Sequence, residues 1–346
     1  MVRRPQFLLI CLLGVIVVAS KTDFCAAASP VRIVFDTDMG NDVDDAMALA
    51  MVHALESRGE CQLLAVTLTK DNLHAARFVD LLNTFHGRGN VPIGMVDGGV
   101  LPDDGKYLRQ VATAQDNGRL RYPHDVKTPS DVSDSVELLR RTLASEPDGS
   151  VVVVQVGFST NLARLLASPA DDISALNGNV LVRKKVCLLS AMAGAFTEKL
   201  LASGKKEFNV VRDLPSAKTV FNTWPTPVVI SGWEIGNAIR HPPESMREDY
   251  GYVEHHPLAE AYGYYKGFNR DQATYDLTSV LYAVRPNRGY FGLSSSGQMR
   301  IDDDGFTRFE YGPGGRHRHL TVSPEQVGRV REAQVLLCSQ PPTALK

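Results

Sequence analysis

Short apolar runs alternate along the chain with segments whose apolar residues recur every three or four positions. The runs are "VRIVFD" at 31–36, "CQLLAVTL" at 61–68, "VPIGMV" at 91–96, "SVVVVQV" at 150–156, "KKVCLLS" at 184–190 and "TPVVIS" at 226–231. Several are apolar on both faces, the pattern of strands buried in a parallel sheet. Between them, "DDAMALAMVHALES" (44–57), "NLHAARFVDLLNTFHG" (72–87), "DSVELLRRTLAS" (134–145) and "STNLARLLAS" (159–168) carry helical periodicity. This rhythm predicts an α/β fold: a mostly parallel, doubly wound sheet with helices on both faces. Another helix is expected in "DQATYDLTSVLYAV" (271–284), ending at Pro286, and the tail from Met299 to Val322 reads as a C-terminal β-hairpin closing the same domain. The polar, weakly periodic stretch 97–129 reads as a loop excursion near a site.

The first residues follow a different pattern. Two early arginines, an apolar stretch from Phe7 to Ala19 and the small residues of "CAAASP" have the layout of a secretory signal peptide cleaved near Ala28. The apolar run is short for a bilayer span of roughly 20 residues. Residues 1–28 are therefore expected to be removed, leaving 29–346 as a single exported domain, secreted or periplasmic and without membrane attachment. The 37 Lys and Arg nearly balance the 39 Asp and Glu, and no long basic run marks a nucleic-acid or anionic-membrane surface. Beyond the leader, Cys61, Cys187 and Cys338 do not make a disulfide framework. Cys61 and Cys187 sit beside apolar runs and read as buried free thiols. Trp224 and Trp233 read as packing residues.

One segment does not fit a purely structural pattern. Asp36, Asp38, Asp42, Asp44 and Asp45 crowd between the first strand and the first helix, and in an open parallel sheet ligands bind beyond the carboxyl ends of the strands. A helix N-terminus favours one or two carboxylates there, not five. Held close together, they repel and retain protons unless a cation neutralises them. A hard cation suits such oxygen ligands, Ca²⁺ better than Mg²⁺ where coordination is flexible and rich in carboxylates. An EF-hand loop starting at Asp36 would need glycine and glutamate where Asn41 and Met47 stand. A phosphotransferase with an aspartyl nucleophile would also place D-x-D after its first strand, but no further phosphate-binding signal accompanies it.

The stretch "DTDMGNDVDDAMAL" (36–49) resembles the amino-terminal fingerprint of the nucleoside hydrolases, the inosine-uridine-preferring N-ribohydrolases. The usual form, D-T-D-x-G-x-D-D-A, lacks the two extra residues found here between Gly40 and Asp44. The resemblance continues in chain order through "VVVVQVGFSTNLARLL" (151–166), "AMAGAF" (191–196), "KKEFNVVRDLPSAKTVF" (205–221) and "TYDLTSVLYAVRP" (274–286). It implies hydrolysis of a small ribonucleoside to ribose and free base, by a Ca²⁺-dependent homo-oligomer with no nucleic-acid partner. Asp38 would be the general base and touch the metal. Asp45 and Asp276 would ligate Ca²⁺, with the Val156 carbonyl completing the shell. Asp44, Glu207 and Asn209 would bind ribose hydroxyls, Met192 would line the ribose pocket, and Asp36 would orient the loop. The inserted Asp42 has no counterpart and could replace Asp44 or bind metal itself. Tyr275 stands where purine-accepting members carry a histidine that helps protonate the departing base. A phenol, with a reference pKa of about 10, is a weak donor at neutral pH.

The implied chemistry is consistent with the residues. N-glycoside hydrolysis passes through an oxocarbenium-like ribosyl cation, which nearby carboxylates stabilise. A carboxylate beside the attacking water can remove its proton. Bland alternatives exist for the supporting residues. Glu207 and Asn209, two apart, would face one way on an extended segment or sit in a solvated turn. Thr160 and Asn161 could simply cap a helix, Phe196 reads as core, and Asp276 alone would read as an exposed helix charge. A ribose- or nucleoside-binding protein that has lost turnover is the alternative of a different class. The base preference stays open.

Overall fold

The structure, a computed structural model, describes Met1 and residues 29–343. Apart from Met1, the expected leader lies outside the described residues. One sheet runs through the molecule. From one edge its strands are Thr307–Tyr311, Gly297–Ile301, His317–Thr321, Val228–Ser231, Val186–Met192, Val151–Gln155, Val31–Thr37, Cys61–Leu68, Ile93–Met95 and Ser133–Asp134. The six apolar runs supply its middle, and their pairings are all parallel. The first strand lies between Cys61–Leu68 and Val151–Gln155, so strand order reverses on either side of it. This is the topological switch point at which open α/β sheets place their ligands.

Two apolar cores flank the sheet. One gathers Ile33, Phe35 and Val66 with the helices Asp44–Ser57, Leu73–Phe85 and Tyr275–Val284. The other packs Val34, Val153 and Leu189 under Ser135–Ser145, Thr160–Ala167 and Leu214–Thr223, with Trp224 fully enclosed. The helix Asp44–Ser57 is buried from Asp44 to Leu55. A helix buried on every side brings its N-terminus, and the acids there, into the interior.

Several local expectations are revised. "KKVCLLS" begins as helix, because Lys184 and Lys185 close Gly178–Lys185 before the strand starts at Val186. The helix expected from 271 starts at Tyr275, after Gln272–Ala273 pair with Arg240–His241. The tail does form a hairpin, Gly297–Ile301 with Thr307–Tyr311. It is not the closing element: His317–Thr321 returns parallel to Val228–Ser231, and a capped helix, Pro324–Cys338, follows. That helix buries only Val330, Gln334, Leu337 and Cys338, too thin a stripe to stand out among its charges. Cys61 is buried, but Cys187, second in its strand, is exposed. Among the described residues the three cysteines are free, and no helix is long and apolar enough to cross a membrane.

The excursion 97–129 contains a short helix, Leu108–Ala112, and a small hairpin turning at Asn117 and Gly118. It packs directly on the aspartate loop. Gly40 has φ +114°, and a Cβ there would strike the Leu108 side chain; a Cβ on Gly105 would lie 2.0 Å from the Gly40 carbonyl oxygen. Both glycines are needed for this close approach.

Candidate active site

The first strand delivers Asp36 and Thr37 into the interior and Asp38 to its carboxyl end. Asp36 Oδ1 accepts hydrogen bonds from Thr67 Oγ1 (2.6 Å) on the adjacent strand and from Asn161 Nδ2 (2.8 Å). Its Oδ2 has no protein partner among the described residues, and burial pushes the carboxyl up to about 7. Ser159, not Thr160 or Asn161, is the N-cap of the helix Thr160–Ala167. Asn161 instead steadies Asp36, while Thr160 donates to Asp213.

Asp38 accepts a hydrogen bond from the Asn41 amide, whose oxygen accepts one from Lys70 Nζ at 3.0 Å. The Lys70 side chain is wholly enclosed. Burial first, and the negative charge of Asp42 next, push Asp38 up to about 7. Asp45 is held by the Thr37 hydroxyl. Asp44 Oδ2 accepts the backbone N–H of Asp276 at 3.2 Å, and Asp42 Oδ1 accepts the backbone N–H of Asp44 at 3.3 Å. The loop and the distant helix Tyr275–Val284 are thus joined through a carboxylate. One oxygen from each of Asp42, Asp44, Asp45 and Asp276 lies within 4.8 Å of the others. Burial and the neighbouring aspartates raise Asp44, Asp45 and Asp276 well above the ordinary carboxylate range. Asp38 stands outside this group of four.

Carboxylates converging in this way, three of them buried and all offering oxygen, fit a hard divalent cation. Without one, the folded protein holds protons that the unfolded chain would release above its ordinary carboxylate values, near 3.8. The stability contributed by these raised groups is complete below that range and is lost as pH rises through the folded values. Buried His53 and His256 act oppositely, but their effect is confined to pH below their ordinary 6.5. In EGTA the melting temperature should therefore fall between about pH 7 and pH 8.5, and added Ca²⁺ should remove most of the fall. A melting temperature that rises over this window in EGTA would contradict the protonated cluster.

The carboxylates form one side of a cavity of ≈ 240 Å³. Asp38, Asp42, Asp45, Val156, Met192, Glu207, Asn209, Tyr275 and Asp276 all line it, whereas Asp36 and Asp44 support from behind. Asn209 Nδ2 donates to the Val156 carbonyl at 2.8 Å and lies 3.7 Å from Met192 Sδ. Glu207 and Asn209 are not on an extended segment. Glu207 is the N-cap of the helix Phe208–Arg212, where its carboxylate accepts the N–H groups of Asn209 (2.8 Å), Val210 (3.0 Å) and Gly194 (3.3 Å). A carboxylate beside orphan helix donors closes the turn on itself. Burial nevertheless raises Glu207 above its usual value.

The other wall is aromatic. Trp233 is not simply a packing residue: it lines the cavity with Phe208, Tyr265 and Tyr275, while Trp224 is buried with its Nε1 donating to Thr226 Oγ1. The rings of Trp233 and Tyr275 lie 6.1 Å apart, inclined by 30°. Burial, then the charges of Asp44 and Asp42, push the Tyr275 phenol above its ordinary value, which weakens it further as an acid. No histidine lines the cavity among the described residues. His256 instead caps the helix Pro257–Lys266.

Asn41, Lys70, Asn161, Lys205, Phe208, Trp233 and Tyr265 had no place in the sequence-based site. Lys70 and Trp233 each follow the carboxyl end of a central strand, where the rule for open sheets would have pointed. The others carry no local signal.

A family model described as inosine-uridine preferring nucleoside hydrolase matches residues 33–335. No curated protein matches the sequence. Among solved structures, a plant nucleoside hydrolase is similar at TM-score 0.65 and 20% identity, over 90% of this chain and all (100%) of that one. A purine-preferring ribonucleoside hydrolase from Gardnerella vaginalis aligns at TM-score 0.64 and 16% identity, over 89% of this chain and 99% of its own. An inosine-uridine preferring nucleoside hydrolase from Bacillus anthracis aligns at 0.66 and 14%, with the same 89% and 99% coverage. At such identities the structural likeness shows the shared fold.

Proposed function

This chain belongs to the inosine-uridine preferring nucleoside hydrolase family and is an N-ribohydrolase, and we propose that it is an exported, Ca²⁺-dependent enzyme that splits ribonucleosides with water into ribose and free base. The observation that carries this reading is the convergence of Asp42, Asp44, Asp45 and Asp276 on one side of a cavity that Met192, Glu207 and Asn209 also line. In this proposal residues 29–346 act as one domain, released by signal cleavage into a secreted or periplasmic setting. The enzyme assembles as a homo-oligomer and engages neither nucleic acid nor membrane.

Asp45, Asp276 and Asp42 would hold the cation, with the Val156 carbonyl and Asp38 at its edge and Asp44 fixing the loop to the helix. A bound Ca²⁺ would supply positive charge that makes a water beside it more acidic. Asp38 takes the water's proton. Asn209 donates to ribose hydroxyls, and Glu207, whose oxygens retain free lone pairs, accepts from them. The surrounding carboxylates face the positive charge that develops on the sugar.

Incubating the mature protein with a nucleoside panel and measuring free ribose tests the proposal. Ribose is expected with Ca²⁺, and its release should stop in EGTA and resume on adding Ca²⁺. Nucleoside binding seen by calorimetry with no ribose formed would instead identify a binding protein.

A further inference from the structure

We infer that Lys205 is the group that meets the departing nucleobase, with Trp233 as its platform. Among the described residues lining the cavity, Lys205 is the one cationic side chain. Its Nζ lies 4.4 Å from the centre of the Trp233 ring, and it makes no ion pair or side-chain hydrogen bond with the described residues. The backbone holds it there. After the helix Glu198–Ala202, Gly204 adopts φ +74°, its N–H donates to Leu201 O at 3.1 Å, and the Lys205 N–H donates to Leu200 O at 3.0 Å. This pair of bonds ends a helix on a left-handed glycine and fixes the direction of the next residue. The backbone of Trp233 is anchored in turn, its main-chain N–H donating to Gly194 O at 2.8 Å.

The assignment rests on the hydrolase reading, which places the ribose against the carboxylates, Glu207 and Asn209. The base then extends along the wall formed by Tyr275, beside Asp276 in the chain, and Trp233. Lys205 stands over the Trp233 ring of that wall. As the C1′–N bond breaks, its electron pair moves onto the base. The water oxygen bonds to C1′, and the water's proton passes to Asp38. Lys205 donates a hydrogen bond to a nitrogen or carbonyl oxygen of the base and balances the negative charge that forms; a proton from solvent completes the free base. A cation on an aromatic face in a partly dry cleft interacts more strongly with a developing anion than it would in water.

The test compares inosine, a poor leaving group, with p-nitrophenyl riboside, whose nitrophenolate is stable unaided. Lys205→Met keeps the stem on Trp233, and Lys205→Arg keeps the charge. In Lys205→Met, kcat on inosine should fall roughly tenfold to a hundredfold, toward the loss seen when a positioned oxyanion donor is removed. KM should change little, and the nitrophenyl substrate should be cleaved as before. Lys205→Arg should recover most of the inosine rate. Equal loss on both substrates would overturn the assignment alone, as would an effect confined to KM. A wild-type preference for nucleoside 5′-monophosphates that Lys205→Met abolishes would overturn it too, by making the lysine a phosphate contact. If the wild-type enzyme releases ribose from neither substrate, the hydrolase reading falls and the assignment with it.

Discussion

Asp45→Ala is expected to abolish tight Ca²⁺ binding and with it ribose release, while the protein stays folded. Asp45 is buried in the first turn of the helix Asp44–Ser57, its carboxylate fixed by the Thr37 hydroxyl and within 4.8 Å of Asp42, Asp44 and Asp276. Ca²⁺ affinity follows the number of charged ligands and the rigidity of their placement, and this change removes both a charge and a fixed oxygen. Ca²⁺ at about a hundred times its Kd should stabilise the wild type by about 2.7 kcal/mol. The variant should gain almost nothing, and its melting temperature with Ca²⁺ should lie near that of the wild type in EGTA. Unchanged affinity by calorimetry would show that the acids do not share one cation.

Asp38→Asn should separate base from ligand. The amide keeps the shape and an oxygen, but it cannot take a proton from water. A turnover loss of roughly a hundredfold or more is expected for a missing general base, which corresponds to about 2.7 kcal/mol of barrier. The new amide can still offer its oxygen to the Asn41 N–H, and Asn41 keeps its bond from Lys70, so nucleoside affinity should change little. Near-normal turnover would pass the role of base to Asp42, the other acid at the cavity that stands outside the family pattern.

The chain alone reveals why a sheet forms, where its central strands lie and where its acids collect. The runs Val31–Thr37, Cys61–Leu68 and Val151–Gln155 are apolar over most of their length, the pattern of central, parallel strands. The β-then-α rhythm leads to a doubly wound sheet, and with it to a site beyond the strand ends. "DTDMGNDVDD" is one continuous stretch, so its charge density is visible without any fold.

Tertiary structure decided what that stretch works with. Asp276 is remote in the chain and joins the cluster because the helix Tyr275–Val284 packs against the buried helix Asp44–Ser57 and offers the backbone N–H of Asp276 to Asp44. The same packing brings Asp42 to the other acids, whereas its place in an insertion left its direction open. Glu207 and Asn209 read equally well as an extended pair or a turn; the cap that Glu207 makes for its own helix selected neither. Trp233 and Lys205 emerged as cavity residues, and Lys70 as the support of Asn41, only once separate strand ends were side by side. Periodicity in a sequence records how much of each element is buried, because burial is set residue by residue along that element. It does not record which faces of distant elements meet, because that depends on strand order, close glycine approaches such as Gly40 with Gly105, and helix packing, all of which are settled only when the whole chain is folded.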